Sequence, residues 1–312
     1  MNIQTSFRRN FIIPALYILL TVQACSKKAD TPVPVVVNPP AKVVTIRSPL
    51  TKKITDQTTL ITTFQSDTLI QIAQGLSQTV ITYLNSESKP MKVFILEVDL
   101  NIPTLRLKAG TPNNKPAFTK QIMSEIARAQ DTVGNRVLAA LNGDFYEVAT
   151  GIPSSALYKG GVAVKPEFCN LCTFLAIDDQ NKALILSKDR TFTPSKIREA
   201  IGGFHWLIKN SQKVVNGDLS IHPRTAAGVT ASNMVYFVLA DGRQPAYSNG
   251  MSFSQLSDLY FALGVKDAIN LDGGGSSTLV VKENSSWIVK NKPSDGFQRA
   301  VANGWTIVDV NK

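Results

Sequence analysis

The sequence is poor in the residues that build metal centres and redox sites. Its 312 residues include only 3 cysteines and 2 histidines, His205 and His222. A structural zinc site takes four ligands, so Cys169 and Cys172 would have to recruit both histidines. We therefore expect no cofactor and no such metal site, although Asp and Asn side chains could bind Ca²⁺. In an exported protein the two cysteines are expected to form a structural disulfide or to remain free thiols.

The sequence also lacks a dense Lys/Arg tract with interleaved aromatic residues, so no nucleic-acid partner is expected. Lys and Arg number 33 against 23 Asp and Glu, which gives a net charge of +10. A moderate positive charge suits an anionic partner such as a phosphorylated sugar, an acidic polysaccharide or a membrane surface. Hydrophobic residues make up 44% of the chain and charged residues 18%, which is enough apolar material for a core.

The N-terminal apolar run, residues 11–21, is too short to span a bilayer permanently. It follows Arg8 and Arg9, and the VQAC that ends at Cys25 resembles a bacterial lipobox. We predict a lipoprotein signal over residues 1–24, acylation of Cys25 and a lipid-anchored location in the bacterial cell envelope, periplasmic or cell-surface. An ordinary secretory signal with an incidental cysteine is the alternative. Residues 25–66, Pro/Val-rich and then weakly patterned, are predicted to be a tether.

Residues 67–312 are predicted to form one α+β domain, rich in strands, with a central mixed sheet and a few packed helices. Apolar runs predict strands at residues 92–100, 105–109, 137–141, 174–177, 183–186, 226–230, 235–240, 267–271, 278–281, 287–289 and 304–308. Helices are predicted at residues 67–74 and 118–130, and a capping box at Ser252 predicts a third that stops at Gly264.

Polar clusters follow several of these strands, at residues 142–147, 222–225, 240–250 and 270–278. Any one cluster could be only a turn, because Asn, Asp and Gly are common turn residues. The run that starts at Asp272 is more specific, because three successive glycines let a backbone approach a ligand and offer N–H groups to an anion. Asp272 is a candidate nucleophile or base, although its side chain could instead cap the glycine turn.

Three arginines stand beside these clusters, and guanidinium groups bind phosphate in bidentate fashion. They are Arg224, Arg243 and Arg299. Each alone could be a surface charge, but together they are candidate phosphate ligands.

Several segments together resemble the phosphodiester glycosidase family. They are NLDGGGSSTLVV (270–281), RTAAGVT (224–230), VLADGRQ (238–244), SNGMSFSQLSDLYFALGV (248–265) and PSDGFQRAVANGWTIV (293–308), with NGDFYE (142–147) and IGGFHWLI (201–208). Their order and spacing fit the family over roughly residues 76–310. The resemblance implies hydrolysis of a sugar–phosphate diester at its glycosidic bond, so a glycan or sugar-phosphate substrate is expected.

The resemblance also implies roles for individual residues, because glycoside cleavage usually uses two carboxylates. Asp272 is expected to act as nucleophile or base, Asp241 as second or orienting carboxylate, and Asp144 as a further catalytic candidate. The remaining candidates would bind phosphate or line the sugar pocket: Asn142, His205, Arg224, Arg243, Ser248, Gly274, Gly275, Ser276, Ser277, Arg299 and Asn303. His205 could instead be a structural histidine beside Trp206. The competing functions are a non-catalytic glycan-binding lipoprotein and a phosphodiesterase that cleaves the P–O bond.

Overall fold

The computed structural model describes residues 47–311. The predicted signal segment, Cys25 and the first part of the predicted tether lie outside the described residues. Within them, no helix is long and apolar enough to cross a membrane.

The described residues contain three α-helices, α1 (Pro49–Gln57), α2 (Met123–Gln130) and α3 (Phe253–Leu263). The larger of two sheets has twelve strands: β1 (Thr63–Ala73), β2 (Leu76–Leu84), β3 (Pro90–Asp99), β6 (Leu157–Lys159), β7 (Val162–Lys165), β8 (Cys172–Asp178), β9 (Ala183–Ser187), β10 (Ile197–Lys209), β11 (Gln212–Lys213), β12 (Arg224–Val229), β13 (Met234–Ala240) and β14 (Asp267–Asn270). The smaller has five: β4 (Leu105–Gly110), β5 (Arg136–Asn142), β15 (Leu279–Glu283), β16 (Ser286–Val289) and β17 (Gly304–Asp309).

The strand order of the large sheet is β1-β2-β3-β13-β12-β14-β10-β6-β7, with β8 and β11 also pairing with β10 and with β9 pairing with β8. The small sheet runs β16-β15-β5-β17-β4. The predicted strand-rich α+β domain is confirmed, but the mixed sheet is corrected, because every described strand pair is antiparallel. Neighbouring parallel strands need long crossover connections, usually helical, and this chain has only three described helices.

The two sheets pack face to face around one apolar cluster. Phe237 and Ile269 of the large sheet meet Leu107, Leu141 and Trp305 of the small sheet in it. Helices α1 and α3 cover the outer face of the large sheet, and α2 covers the outer face of the small one. The order of layers is therefore helices, large sheet, small sheet, helix.

Local sequence signals predicted α3 correctly but were misleading near the N-terminus. Ser252 and Gln255 form the predicted capping box, and Gly264 ends α3 with a left-handed φ of 73°. The helix predicted at residues 67–74 is wrong, because this segment lies in β1 and pairs with β2. Helix α1, capped by Ser48, packs against α3, so the compact domain begins before residue 67.

Candidate active site

Asp272 lies where the two sheets meet. It follows β14 of the large sheet, and its backbone N–H donates to the carbonyl of Gly143, which follows β5 of the small sheet, at 2.9 Å. Asn142, the last residue of β5, is fully buried and donates through Nδ2 to the Asp272 carbonyl. Its Oδ1 accepts from the Thr225 hydroxyl at 2.9 Å and from the Thr278 N–H at 3.1 Å. Asn142 therefore positions the Asp272 backbone. From the sequence, Asn142 was expected to line the pocket.

Two carboxylates share this junction. Burial, together with the charge of nearby Asp272, raises the pKa of Asp144 to about 8 against the lowering effect of the hydrogen bond from the Ser155 N–H. Burial also raises the pKa of Asp272, to about 6, while Ser276, the Gly273 N–H and Arg299 act to lower it. At neutral pH Asp272 is thus mostly ionised and Asp144 mostly protonated, the division of states that an acid and base pair requires.

Asp144 is nearly fully buried, and hydrogen bonds hold it in a fixed position. Its Oδ2 accepts from the Ser155 N–H at 2.7 Å, and its own N–H donates to Asn303 Oδ1 at 2.8 Å. A Cβ at Gly202 of β10 would collide with this carboxylate, so glycine is required beside it. Among the described residues Oδ1 of Asp144 has no hydrogen-bond partner, which is costly for a buried ionised carboxylate and favours the protonated form.

The first two residues of the glycine run make room for neighbouring groups. A Cβ at Gly273 would lie 2.6 Å from the Pro223 carbonyl oxygen. At Gly274, whose φ is +60°, a Cβ would lie 3.1 Å from the Arg243 guanidinium. Arg243 is exposed and touches His222 Nδ1 at 3.4 Å, and no described carboxylate forms an ion pair with it. Its charge is available to an anionic ligand over the loop.

The third residue, Gly275, lies against an ion pair. Arg299 Nη2 is 2.7 Å from Asp295 Oδ2, and Nε donates to the same oxygen at 2.9 Å. A Cβ at Gly275 would collide with both side chains. The glycine run therefore brings two arginines close to Asp272.

The predicted anion nest is largely occupied by the protein itself. Three of the four amides proposed for it donate to backbone carbonyls: Gly274 to Pro223 at 2.9 Å, Ser276 to Gly273 at 3.1 Å and Ser277 to Gly274 at 3.3 Å. The side chain of Ser277 also has a partner within the protein, because its Oγ lies 3.2 Å from the Thr225 hydroxyl oxygen. Burial raises the pKa of both Asp272 and Tyr146, and Ser276 Oγ, which stands near both groups, partly offsets that rise.

Arg224 contributes to the fold more than to the site. Its Nε donates to the Met251 carbonyl at 3.0 Å and its Nη2 to the Ser220 carbonyl at 2.8 Å. The guanidinium also lies 4.0 Å from the centre of the Phe253 ring. These contacts give a buried side chain a role in anchoring α3, and the role of Arg224 as a phosphate ligand stays a prediction.

Asp241 is likewise a buried structural group. Its carboxylate accepts from Asn291 Nδ2 at 3.0 Å, from the Lys292 N–H at 2.9 Å and from the Tyr247 hydroxyl at 3.2 Å. Asn291 also donates to the Ser277 carbonyl, so Asp241 supports the loop that follows Asp272. Because each carboxylate oxygen is already engaged, these contacts favour the orienting role over that of a second catalytic carboxylate, and the role of Asp241 stays a prediction.

Two further predicted pocket residues occupy different positions. Ser248 is fully buried, donates to the Asp241 carbonyl at 2.6 Å and accepts from the Lys92 N–H, so it joins the 241–248 turn to β3. His205 sits at an irregularity of β10 with a φ of 64°, between the rings of Phe204 and Phe253. Burial lowers its pKa. Of these two only His205 borders a cavity.

Three residues at the site were missed from the sequence. Tyr146 donates through its hydroxyl to the Ala300 carbonyl at 2.9 Å, Asp295 holds Arg299, and Asn291 links Asp241 to the glycine loop. Tyr146 and Asp295 fall inside segments that carried the family resemblance, which was the available signal, whereas Asn291 lies outside all of those segments. Asn303 contacts Asp144 as described, and its Nδ2 is buried without a described partner. Cys169 and Cys172 form a disulfide.

Among residues 47–311, no group of three or more His, Cys, Asp or Glu side chains is placed to hold a metal ion.

Comparison with known proteins then settles the family. Residues 135–308, more than half of the chain, match the model of the family described as phosphodiester glycosidase. The chain belongs to the phosphodiester glycosidase family. This stretch includes Asp144, Asp272, Arg243 and Arg299.

One curated relative and two solved structures show how far the likeness extends. The SPbeta prophage-derived uncharacterized protein YomE of Bacillus subtilis (strain 168) is 27% identical over a match of 272 residues that covers 83% of this chain and 40% of that protein. The chain thus spans well under half of that relative. The zebrafish N-acetylglucosamine-1-phosphodiester alpha-N-acetylglucosaminidase catalytic domain, auto-inhibited by its pro-peptide, is 20% identical with a TM-score of 0.59, over 78% of this chain and 87% of that one. A hypothetical protein from Synechocystis is 13% identical with a TM-score of 0.59, over 78% and 64%. Both structures share the fold.

Proposed function

We propose that this chain hydrolyses the glycosidic bond of a sugar 1-phosphodiester and releases the sugar and a phosphomonoester. Membership of the phosphodiester glycosidase family supports a hydrolase of this class. The observation that carries the proposal is the pair of Asp272 and Asp144, whose environments hold their pKa values apart at about 6 and about 8. Two carboxylates that flank one bond are the usual equipment of glycosidases.

Asp272 is the group that acts on the anomeric carbon. In its ionised state it attacks that carbon or activates a water beside it, and its charge stabilises the oxocarbenium-like transition state. Asn142 and the Gly143 carbonyl hold its backbone, so the carboxylate is already in position before substrate binds.

Asp144 complements Asp272 as the acid. Because it is protonated at neutral pH, it adds no second negative charge at the site and has a proton for the departing oxygen. A phosphomonoester is already a good leaving group, so this assistance is the smaller contribution. Arg243 and Arg299 are placed to balance the charge of the phosphate that leaves.

Turnover of sugar 1-phosphodiesters by the purified protein and its Asp272→Asn variant tests the proposal. We expect hydrolysis by the wild type and a fall of about 10³-fold or more in kcat for the variant. The Gly273 N–H donates to Asp272 Oδ1 at 2.9 Å, and an asparagine oxygen would accept the same bond. If Asp272 only capped the turn, the variant would therefore stay near wild-type activity.

A phosphodiesterase that cleaves the P–O bond is the second candidate. The two arginines beside the glycine loop are compatible with both reactions, because they would bind the phosphate in either one. A protonated Asp144 is common to both as well, since it can protonate the oxygen that leaves phosphorus. The ionised Asp272 supports the glycosidase, because its charge stabilises an oxocarbenium-like transition state but repels the phosphate oxygens during an attack on phosphorus. A glycan-binding protein without activity would need neither pKa shift.

We also propose that the chain is exported and anchored to a membrane of the cell envelope through an acylated Cys25. The support is the sequence alone: two arginines, a short apolar run, VQAC and a Pro-rich segment. Fractionation of the native host tests this. The wild type is expected with membranes and Cys25→Ala in the soluble fraction, whereas a wholly soluble wild type would refute the anchor.

A further inference from the structure

A cavity of about 500 Å³ lies beside the candidate active site, within the size range of ligand pockets. Trp206 and His205 of β10 border it. Leu171, from the loop closed by the Cys169–Cys172 disulfide, lies on its border, as do Val214 and Val215 from the loop of residues 214–223. We call this cavity the side cavity.

The side cavity is adjacent to the site, because both loops that border it contact residues of the site. Cys172 Sγ contacts the Ser154 carbonyl, and the next residue, Ser155, donates its N–H to Asp144. The loop of residues 214–223 ends at Pro223, whose carbonyl accepts from the Gly274 N–H. A ligand that spans the two carboxylates and the glycine loop therefore has this cavity next to it.

The mouth of the side cavity is unusually apolar for a surface. Leu171 is 69% exposed and Val215 is 95% exposed, and Leu219 on the same loop is 75% exposed. Single exposed apolar residues are ordinary, but here two of them border one opening and the third is on the same loop. The disulfide fixes the loop that presents Leu171, so its exposure belongs to a constrained loop.

Five of the polar side chains that line the side cavity are already engaged with one another. Lys188 Nζ donates to Asn170 Oδ1 at 2.5 Å, and Asp189 is paired with Lys209 and Ser187. Arg190 and Lys209 lie 4.6 Å and 5.2 Å from the Trp206 ring centre, which leaves less of that ring to stack on a sugar. This lining suits a hydrocarbon better than a hydroxyl-rich ligand, because few donors and acceptors remain to satisfy hydroxyl groups.

We propose that the side cavity binds the alkyl chain of the alcohol esterified to the substrate phosphate, so that the substrate is a sugar 1-phosphodiester of a long-chain alcohol. This inference rests on the proposed function. Each buried methylene increases affinity about fourfold. Even partial burial of an octyl chain should therefore raise kcat/KM about tenfold or more over a methyl ester of the same sugar 1-phosphate.

The test compares methyl, octyl and hexosyl esters of one sugar 1-phosphate below the micellar concentration. Wild type is compared with Val215→Asp, Leu171→Asp and the control Val133→Asp, whose side chain is fully exposed in the turn before β5. We expect the octyl ester to be preferred, the octyl-to-methyl ratio to fall about tenfold in the first two variants, and the ratio in Val133→Asp to stay within about twofold of wild type. Equal kcat/KM for methyl and octyl esters, a preference for the hexosyl ester, or an unchanged ratio in Val215→Asp and Leu171→Asp would overturn the inference.

Binding measurements distinguish a failure of this inference from a failure of the proposed function. If no ester is hydrolysed, the proposed function fails, and calorimetry with octyl phosphate and methyl phosphate still reports on the side cavity. Tighter binding of octyl phosphate that Val215→Asp weakens would sustain the alkyl site. Equal binding of the two phosphates would reject it.

Discussion

Asp272 and Asp144 reach one site from different sheets, Asp272 at the end of β14 in the large sheet and Asp144 just after β5 in the small one. The charge of Asp272 raises the pKa of Asp144, so the two carboxyl groups interact electrostatically. Their relationship depends on the packing of the sheets, because the Asp272 N–H donates to Gly143, the residue before Asp144.

The first prediction is a bell-shaped dependence of kcat/KM on pH. Asp272 must be ionised, so activity rises as pH passes its pKa of about 6. Asp144 must be protonated, so activity falls as pH passes its pKa of about 8. The two limbs belong to the coupled pair in the free enzyme. Initial rates at low substrate from pH 4 to 10 measure them, and Asp144→Asn should lose the upper limb. A profile flat across pH 5 to 9 would contradict the assignment.

The second prediction concerns stability and needs no substrate. The folded pKa of Asp144, about 8, is above the 3.8 that is usual for an exposed aspartate, so the folded state holds the proton more tightly. Its contribution to stability is fully present below about pH 4 and is lost as pH rises through about 8. Asp144→Asn removes this dependence, so its Tm should decline less between pH 5 and 9 than that of the wild type. Identical Tm profiles would mean that Asp144 is not a buried titrating group.

How much the sequence could predict is illustrated by the carboxylates. Asp272, Asp241 and Asp144 each follow a buried strand, and this pattern correctly placed them at strand ends. It could not tell that β5 and β14 end beside each other, nor that Asn291 and Lys292, about fifty residues along the chain, satisfy Asp241. Partners so distant in sequence are set by sheet packing.

Strand β10 shows a second limit. Its 13 residues include Gly202, Gly203 and His205, which interrupt the alternation of a strand, so no strand was predicted there. The glycines are needed because Asp144 and the Asn270 carbonyl lie against them. Strand β1 shows the opposite kind of miss. A short run that resembles a helix was predicted to be one, but pairing with β2 holds it extended.

The third prediction tests the glycine run. A methyl group at Gly275 would collide with Arg299 and Asp295, so Gly275→Ala should displace this ion pair. We expect kcat/KM for a phosphodiester to fall about tenfold or more while the protein stays folded. Gly217→Ala is the matched control, because no atom lies within 4 Å of its added Cβ and its φ is not positive. Equal kinetics for both variants would remove Arg299 from the site.

The fourth prediction separates the two other arginines. Arg243→Ala should weaken phosphodiester binding by about 1.5–3 kcal/mol with little change in Tm, since the exposed guanidinium has no ionic partner among the described residues. Arg224→Ala should lower Tm, because it removes the donor to the Ser220 carbonyl and one of the two donors to the Met251 carbonyl. Calorimetric titration with a phosphodiester, with the free sugar as control, and thermal melts measure both. The reverse pattern would restore Arg224 as the phosphate ligand.

The central claim is that the bond broken is the glycosidic C–O bond, and the position of an oxygen label decides it. Hydrolysis of a sugar 1-phosphodiester in ¹⁸O-labelled water, followed by mass spectrometry of both products before the sugar exchanges its anomeric oxygen, gives the answer. Attack at the anomeric carbon by water, or by Asp272 and then water, puts the label in the sugar and leaves the phosphomonoester unlabelled. Label in the phosphomonoester would show attack at phosphorus and contradict the account.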